Sequence, residues 1–278
     1  MAHTLQDRYS SVLDKLLRAN LVKSNGTVFN TTYEGTPKAG AVKIPVRDTE
    51  VAVAAYSKTT GATMTHGATS YLTVNIDKDY AVNELIDGYD AAAVPDNLVA
   101  QRIESAAYSL ALQMEKDATA ELLTSGTALA GTTALTKATV YDTIIDARTE
   151  LSKANVPANG RFLLVSPEIY ALLLKNDNFI HASVAGDAVI ASGAVGKIAG
   201  FTVFEDNTLN SSVSTETKVD FVAGHPDWCC RVEEWQSPVT INDLKGSGTY
   251  IGASAVQGRK IYAHKVSKAA CVIVRRHA

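Results

Sequence analysis

Alternation of apolar and polar residues in two nearby stretches constrains the fold of this chain more than any other feature. Apolar side chains share one face at Val42, Ile44 and Val46, and again at Leu72, Val74 and Ile76, as in β-strands with one covered face. Between them, residues 54–70 are small, polar and rich in Thr and Gly. The pattern predicts a long β-hairpin, residues 41–82, whose tip has little apolar surface to bury against its own subunit.

Such a two-stranded ribbon is barely stable alone in water, and its open edges favour pairing with another chain. We therefore expect the ribbon to lie on a second copy of the protein. The tip residues expected to make this contact between subunits are Tyr56, Lys58, Thr59, Met64, His66 and Tyr71.

Helices are predicted on both sides of the ribbon. An amphipathic pattern indicates a helix over Thr4–Ala19, within an N-terminal arm of 40 residues. A longer helix is predicted for about residues 96–124, because apolar residues recur there at spacings of three and four. Pro95 stands near its start and Gly126 just past its end, the positions where these residues are favoured.

Helices and strands alternate over residues 138–239. A helix is expected after Thr139, a short buried strand at "RFLLV", and then a helix capped by Ser166 with Pro167 in its first position. The segments "FTVF", "KVDFVAG" and "CCRVEEW" predict further strands, and so does most of residues 240–278.

The sequence lacks the patterns of an active site, so we predict no catalytic, cofactor-binding or metal-binding residues. "GAVGK" at 193–197 resembles part of a phosphate-binding loop, but Ala191 and Ile198 stand where that motif needs Gly and Ser or Thr. The three cysteines show no ligand spacing and indicate reduced, buried thiols in a protein made in a cytoplasm. No apolar run is long enough for a membrane span, and the N-terminus lacks a secretion signal.

Charge is distributed unevenly along a chain whose net charge is −3. Residues 244–278 contain seven basic residues and no acidic one, whereas the middle of the chain is acidic. This asymmetry is typical of contact with nucleic acid or between oppositely charged regions of neighbouring subunits, and a solvated basic surface is the third possibility. The residues expected to face DNA or a neighbouring subunit are Arg259, Lys260, Lys265, Lys268, Arg275 and Arg276.

The order of these features resembles the major capsid proteins of tailed bacteriophages, which share the fold of phage HK97. The local likeness is strongest in "ANVPANGRFLLVSPEIYALLLKND", residues 154–177, and in "AVGKIAGFTVFEDNTL", residues 194–209. In the second stretch, Glu205-Asp206-Asn207 replaces the Ser-Asn pair common in the family.

The resemblance implies an α+β fold of the HK97 type, divided as 1–40 N-terminal arm, 41–82 extended β-hairpin loop, 83–137 peripheral domain with a spine helix, 138–239 axial domain, and 240–278 return strands of the peripheral domain. It implies a structural protein of the virion, not an enzyme. Such a protein assembles as hexamers and pentamers into an icosahedral shell around double-stranded DNA. The implied partners are further copies of the chain, a portal and, in some members, a decoration protein. Because only about 40 residues precede the ribbon, we also expect a separate scaffolding protein.

Three alternatives stay open from the sequence. An encapsulin-like compartment would share the fold and enclose protein cargo in place of DNA. An α/β enzyme with an unrecognised site would be a small particle with a deep pocket. A tail-tube or connector subunit would form open rings or tubes.

Overall fold

The computed structural model describes most of the chain and separates it into two sheets, a ribbon and three helices among the described residues. These residues are 17–23, 26–33, 35, 40–46, 50–62, 64, 66–67, 69–89, 98–176, 196–210, 217–246 and 248–278. Pro95 lies outside this set. Most of the predicted helix over Thr4–Ala19 and most of the phosphate-loop-like motif also lie outside it. The elements are α1 (Leu98–Ser125), α2 (Val140–Lys153), α3 (Pro167–Leu174), β1 (Ala41–Val46), β2 (Ser70–Asn75), β3 (Lys78–Ile86), β4 (Thr127–Ala128), β5 (Phe162–Val165), β6 (Lys197–Ile198), β7 (Phe201–Glu205), β8 (Lys218–Gly224), β9 (Cys229–Asp243), β10 (Ser254–Val266) and β11 (Val272–His277).

The ribbon is built from β1 and β2, which pair antiparallel over their whole length, from Ala41 opposite Asn75 to Val46 opposite Ser70. The predicted alternation is confirmed, because Ile44 and Val74 are buried on one face while Lys43 points to solvent. Residues 71–82 form two strands, not one. β2 ends at Asn75, and β3 leaves the ribbon to join a sheet.

A three-stranded antiparallel sheet in the order β3-β10-β9 packs on α1. Irregularities in the pairing of β10 with β9 lie at Gly258 and between Ile261 and Tyr262. Gly258 is required by close packing, because a Cβ there would lie 2.6 Å from Cγ2 of Val239. The helix face against this sheet is apolar and includes Ile103 and Ala106.

The predicted long helix is confirmed as α1, and Gly126 follows its last residue. A Cβ at Gly126 would lie 2.7 Å from Cγ2 of Val274, so the glycine lets the helix end pass close to β11. The end of α1 therefore contacts the second sheet as well as the first.

The second sheet has six strands in the order β4-β11-β8-β5-β7-β6, with α2 and α3 packed against it. Its pairing is mixed: β5–β7 and β4–β11 are parallel, and the other pairs are antiparallel. Ser166 caps α3 as predicted, since its side-chain oxygen accepts a hydrogen bond from the backbone N–H of Ile169 at 3.4 Å.

The C-terminal strands divide between the two sheets. β10 is the central strand of the three-stranded sheet, whereas β11 lies inside the six-stranded sheet between β4 and β8. The expected single unit of return strands, residues 240–278, is thus split between the two sheets, and its expected boundary at residue 239 falls inside β9. Hydrogen bonding to β8 is what draws β11 to the other sheet.

Candidate intersubunit surface

The base of the ribbon is covered by its own subunit. Ile44 and Val74 belong to one apolar cluster with Cys230, Val232 and Ala263, which come from β9 and β10. Their exposed fractions are all 4% or less. The three-stranded sheet therefore holds the ribbon at its root.

The distal ribbon has no such cover. Among the described residues, backbone pairing there is limited to Ser57 and Gly61, whose N–H groups donate to each other's carbonyl oxygens at 3.2 and 2.8 Å. Around this turn the large apolar side chains stand in solvent; these are Val51, Val53, Tyr56, Met64 and Tyr71. Val53 is 99% and Met64 91% exposed, values that burial on a partner would remove.

The six tip residues predicted to contact another subunit are all exposed. The structure places them along one projecting segment, and the contact itself stays a prediction. Sequence reasoning missed Val51 and Val53, although the alternation of Val and Ala at positions 51–54 is the signal that could have found them. It also missed Ile251, which is 94% exposed in the turn between β9 and β10.

The basic end of the chain is largely paired within the subunit. Arg259 forms an ion pair with Asp79, with its Nε 2.8 Å from Oδ1, and its guanidinium lies over the ring of Trp235. Lys260 and Lys265 form ion pairs with Glu233 and Glu121, at 3.1 and 3.4 Å. The predicted basic residues do not form one continuous free surface.

The remaining basic residues differ in exposure. Arg275 is buried and donates to the carbonyl of Thr133 at 2.9 Å, and Arg276 donates to that of Leu123. Lys268 is exposed. Contact of these residues with DNA or with a neighbouring subunit stays a prediction.

Burial shifts the pKa values of several titratable groups in the described part of the subunit. Burial raises the pKa of Tyr262, whose hydroxyl donates to Asp117 at 2.7 Å. Burial, reinforced by nearby Arg231, lowers the pKa of His264 to about 3. Burial also raises the pKa of the thiol of Cys230 to about 11, so the thiol is protonated and unreactive at neutral pH.

The described part of the chain holds no cluster of three His, Cys, Asp or Glu side chains placed to bind a metal ion. A polar cleft of about 520 Å³ lies beside β9 and is lined by Thr31, Tyr33, Gly35, Arg231, Glu233 and Glu234. None of the described helices is long and apolar enough to cross a lipid bilayer.

Comparison with known proteins identifies relatives of this chain. A family model described as "Phage capsid protein" matches residues 89–262. A chain from Mycobacterium phage Che8 superposes with a TM-score of 0.81 at 25% identity, covering 98% of this chain and 96% of that one. No curated protein sequence matches the chain.

Two further solved structures show the same fold at lower identity. The capsid structure of cyanophage P-SCSP1u has a TM-score of 0.81 at 17% identity, covering 98% of this chain and 93% of that chain. The mature capsid of bacteriophage PhiM1 has a TM-score of 0.77 at 13% identity, covering 99% and 92%. The predicted α+β fold of the HK97 type is confirmed by these superpositions.

Proposed function

Because this chain belongs to the phage capsid protein family and is a shell-forming major capsid protein, we propose that it assembles as hexamers and pentamers into an icosahedral shell around double-stranded DNA. Its place is the capsid of the virion. Within the subunit, residues 41–75 serve as the extended loop, shorter than the expected 41–82 because β3 joins the three-stranded sheet. α1 with the three-stranded sheet forms the peripheral domain, and the six-stranded sheet with α2 and α3 forms the axial domain.

The observation that carries the proposal is the contrast between the two ends of the ribbon. Its base is anchored in the subunit, and its distal part presents exposed apolar side chains with almost no internal pairing. Covering these side chains on a neighbouring copy removes apolar surface from water, and the open backbone groups gain partners. Shell formation thereby completes the burial that the single subunit lacks.

The proposed shell has further partners, namely a separate scaffolding protein, a portal and a decoration protein. The proposed site of synthesis is the host cytoplasm. If the exposed Lys268 and its basic neighbours face the interior, their contact with DNA is to phosphates, independent of base sequence and weakened by salt.

The first experiment is electron microscopy of the full-length chain, expressed alone and together with its gene neighbours. We expect closed shells, or rings of five and six subunits. A uniform small particle at every concentration contradicts the proposal. Particles that enclose protein cargo, with no nucleic acid in the co-expressed sample, favour a compartment over a virus.

The ribbon is then tested directly with the double variant Val51→Ser/Val53→Ser. We expect the yield of shells to fall at least about tenfold while the subunit unfolds at the same temperature, because both side chains are exposed in the subunit. The matched control Val51→Ile/Val53→Ile keeps the apolar surface and should assemble. Normal assembly of the serine variant would show that the distal ribbon is not the intersubunit contact.

A further inference from the structure

A fully buried lysine lies close to the N-terminus of the described chain. Lys23 is 1% exposed, and its ammonium forms ion pairs with Asp206 and, at 3.6 Å, with Glu115. It also donates to the hydroxyl of Thr208 at 2.7 Å. Glu115 and Asp206 are themselves 1% and 0% exposed. Three charged groups are thus removed from water at one point.

This point joins two parts of the molecule. Glu115 lies in the middle of α1, and Asp206 and Thr208 lie in the turn after β7 of the six-stranded sheet. The backbone N–H of Lys23 also donates to Glu115, at 3.0 Å. Lys23 therefore ties the helix to the six-stranded sheet, about three turns of helix before the end of α1 passes β11.

The residues around Lys23 form a strap, defined here as residues 17–23 and 26–30. The strap buries Val22, Val28 and Phe29 in a cluster shared with α1 and the six-stranded sheet. It ends at Asn30, whose N–H donates to the carbonyl of Cys229 at 2.8 Å. At its other end Arg18 forms an ion pair with the exposed Glu104.

The charges of Lys23, Glu115 and Asp206 do not balance. Two carboxylates face one ammonium, and Oε1 of Glu115 has no hydrogen-bond partner among the described residues. Burying charges costs hydration, and their mutual attraction offsets this cost only when every group is well paired. Opening the strap rehydrates all three groups, so the loss of the apolar contacts is partly compensated.

We propose that the strap is a conformational device, locked by Lys23, that opens while the rest of the subunit stays folded. When the strap opens, α1 is released from the turn after β7 and keeps direct contact with the six-stranded sheet through its end. This release lets one chain fit both five-fold and six-fold positions, a role that rests on the proposed function. Opening of the strap itself is independent of shell formation.

The test is hydrogen exchange of the amides of residue 23 and Asn30 in the soluble subunit, with Leu163 of the central strand β5 as the reference for global unfolding. In the wild type we expect both strap amides to exchange faster than Leu163. Lys23→Met leaves two buried carboxylates without a counter-charge, so it should accelerate exchange of the strap about a hundredfold and leave Leu163 nearly unchanged.

Two further variants distinguish the effect of the Lys23 ion pairs from general destabilisation of the subunit. The triple variant Lys23→Met/Glu115→Gln/Asp206→Asn keeps oxygen acceptors for the N–H groups of residue 23 and Thr208 and removes every charge, so protection should return to the wild-type level. Lys153→Met breaks an exposed ion pair with Glu150 and should change nothing.

The inference is overturned if strap and reference amides exchange at the same rate, since the strap then opens only with the whole subunit. It is also overturned if Lys23→Met leaves the strap protected. Because these rates are measured in single subunits, failure of the wild type to form shells counts against the proposed function and leaves the strap result unaffected.

Discussion

The six-stranded sheet and the ribbon are both built from apolar β-strands, but they complete their burial differently. In β5 all four residues are buried, and in β8 all but the first. In the ribbon, burial ends near the paired strands, and Tyr56 beyond them is 76% exposed. The sheet is covered by elements of its own chain, whereas the described residues leave the distal ribbon uncovered. We therefore expect stability of the subunit and stability of the shell to depend on different residues.

The largest expected effect comes from the six-stranded sheet. Phe221→Ala removes a ring that is 0% exposed and leaves a cavity, so we expect the free energy of unfolding to fall by about 3–5 kcal/mol. Urea denaturation of the soluble subunit measures this. A loss below about 1 kcal/mol would mean that the sheet is not the main core.

An acid-dependent effect is expected beside the three-stranded sheet. The pKa of His264 is lowered to about 3, so the folded state keeps the ring neutral while the unfolded state takes up a proton below about pH 6.5. Stability should fall as the pH drops from about 6.5 towards 3, by a few kcal/mol from this residue. His264→Phe keeps the ring contacts with Phe29 and Tyr262.

In pH-dependent unfolding, the difference between wild type and His264→Phe should therefore grow in favour of the variant as the pH falls. The same difference at every pH would show that His264 titrates alike in the folded and unfolded states.

A smaller loss is expected at the root of the ribbon. Ile44→Ala should cost about 2 kcal/mol, the lower end for an isoleucine, because its cluster is small and several neighbours are only partly buried. The loss should appear in the isolated subunit, measured by thermal unfolding. An unchanged subunit would mean that the root also needs a neighbouring chain.

The smallest effect on the subunit is expected at the tip. Tyr56→Ala, the aromatic counterpart of Phe221→Ala, should change the free energy of unfolding by less than about 0.5 kcal/mol. Its effect should appear only in assembly, measured as the subunit concentration at which shells form. A destabilised subunit would contradict the division between sheet and ribbon.

Local patterns predicted the elements whose causes are local. The alternation of β1 and β2, the end of α1 before Gly126 and the cap at Ser166 each depend on neighbouring residues. Local patterns did not predict that basic residues near the end of the chain form ion pairs within the subunit. Arg259 and Asp79 are 180 positions apart in the chain, so charge counts by segment cannot show that they meet.

Other features depend on distant packing in the same way. Lys23 stands in a polar stretch of the N-terminal arm, and its burial is set by Glu115 and Asp206. The position of β11 is set by its pairing with β8, and no local pattern distinguishes that sheet from the other. At the tip, exposure of Tyr56, Met64 and Tyr71 agrees with the sequence prediction, whereas Val51 and Val53 were added by the structure.

The division of the C-terminal strands also affects the timing of folding during synthesis. β3 pairs with β10, which begins about 170 residues later, and β10 is the central strand of its sheet. A ribosome adding about 5–20 residues per second needs roughly 10–40 seconds to travel that distance, during which β3 has no strand to pair with. The root of the ribbon waits equally long for Ala263. A growing chain therefore cannot complete the cluster that anchors its ribbon before Ala263 has been made.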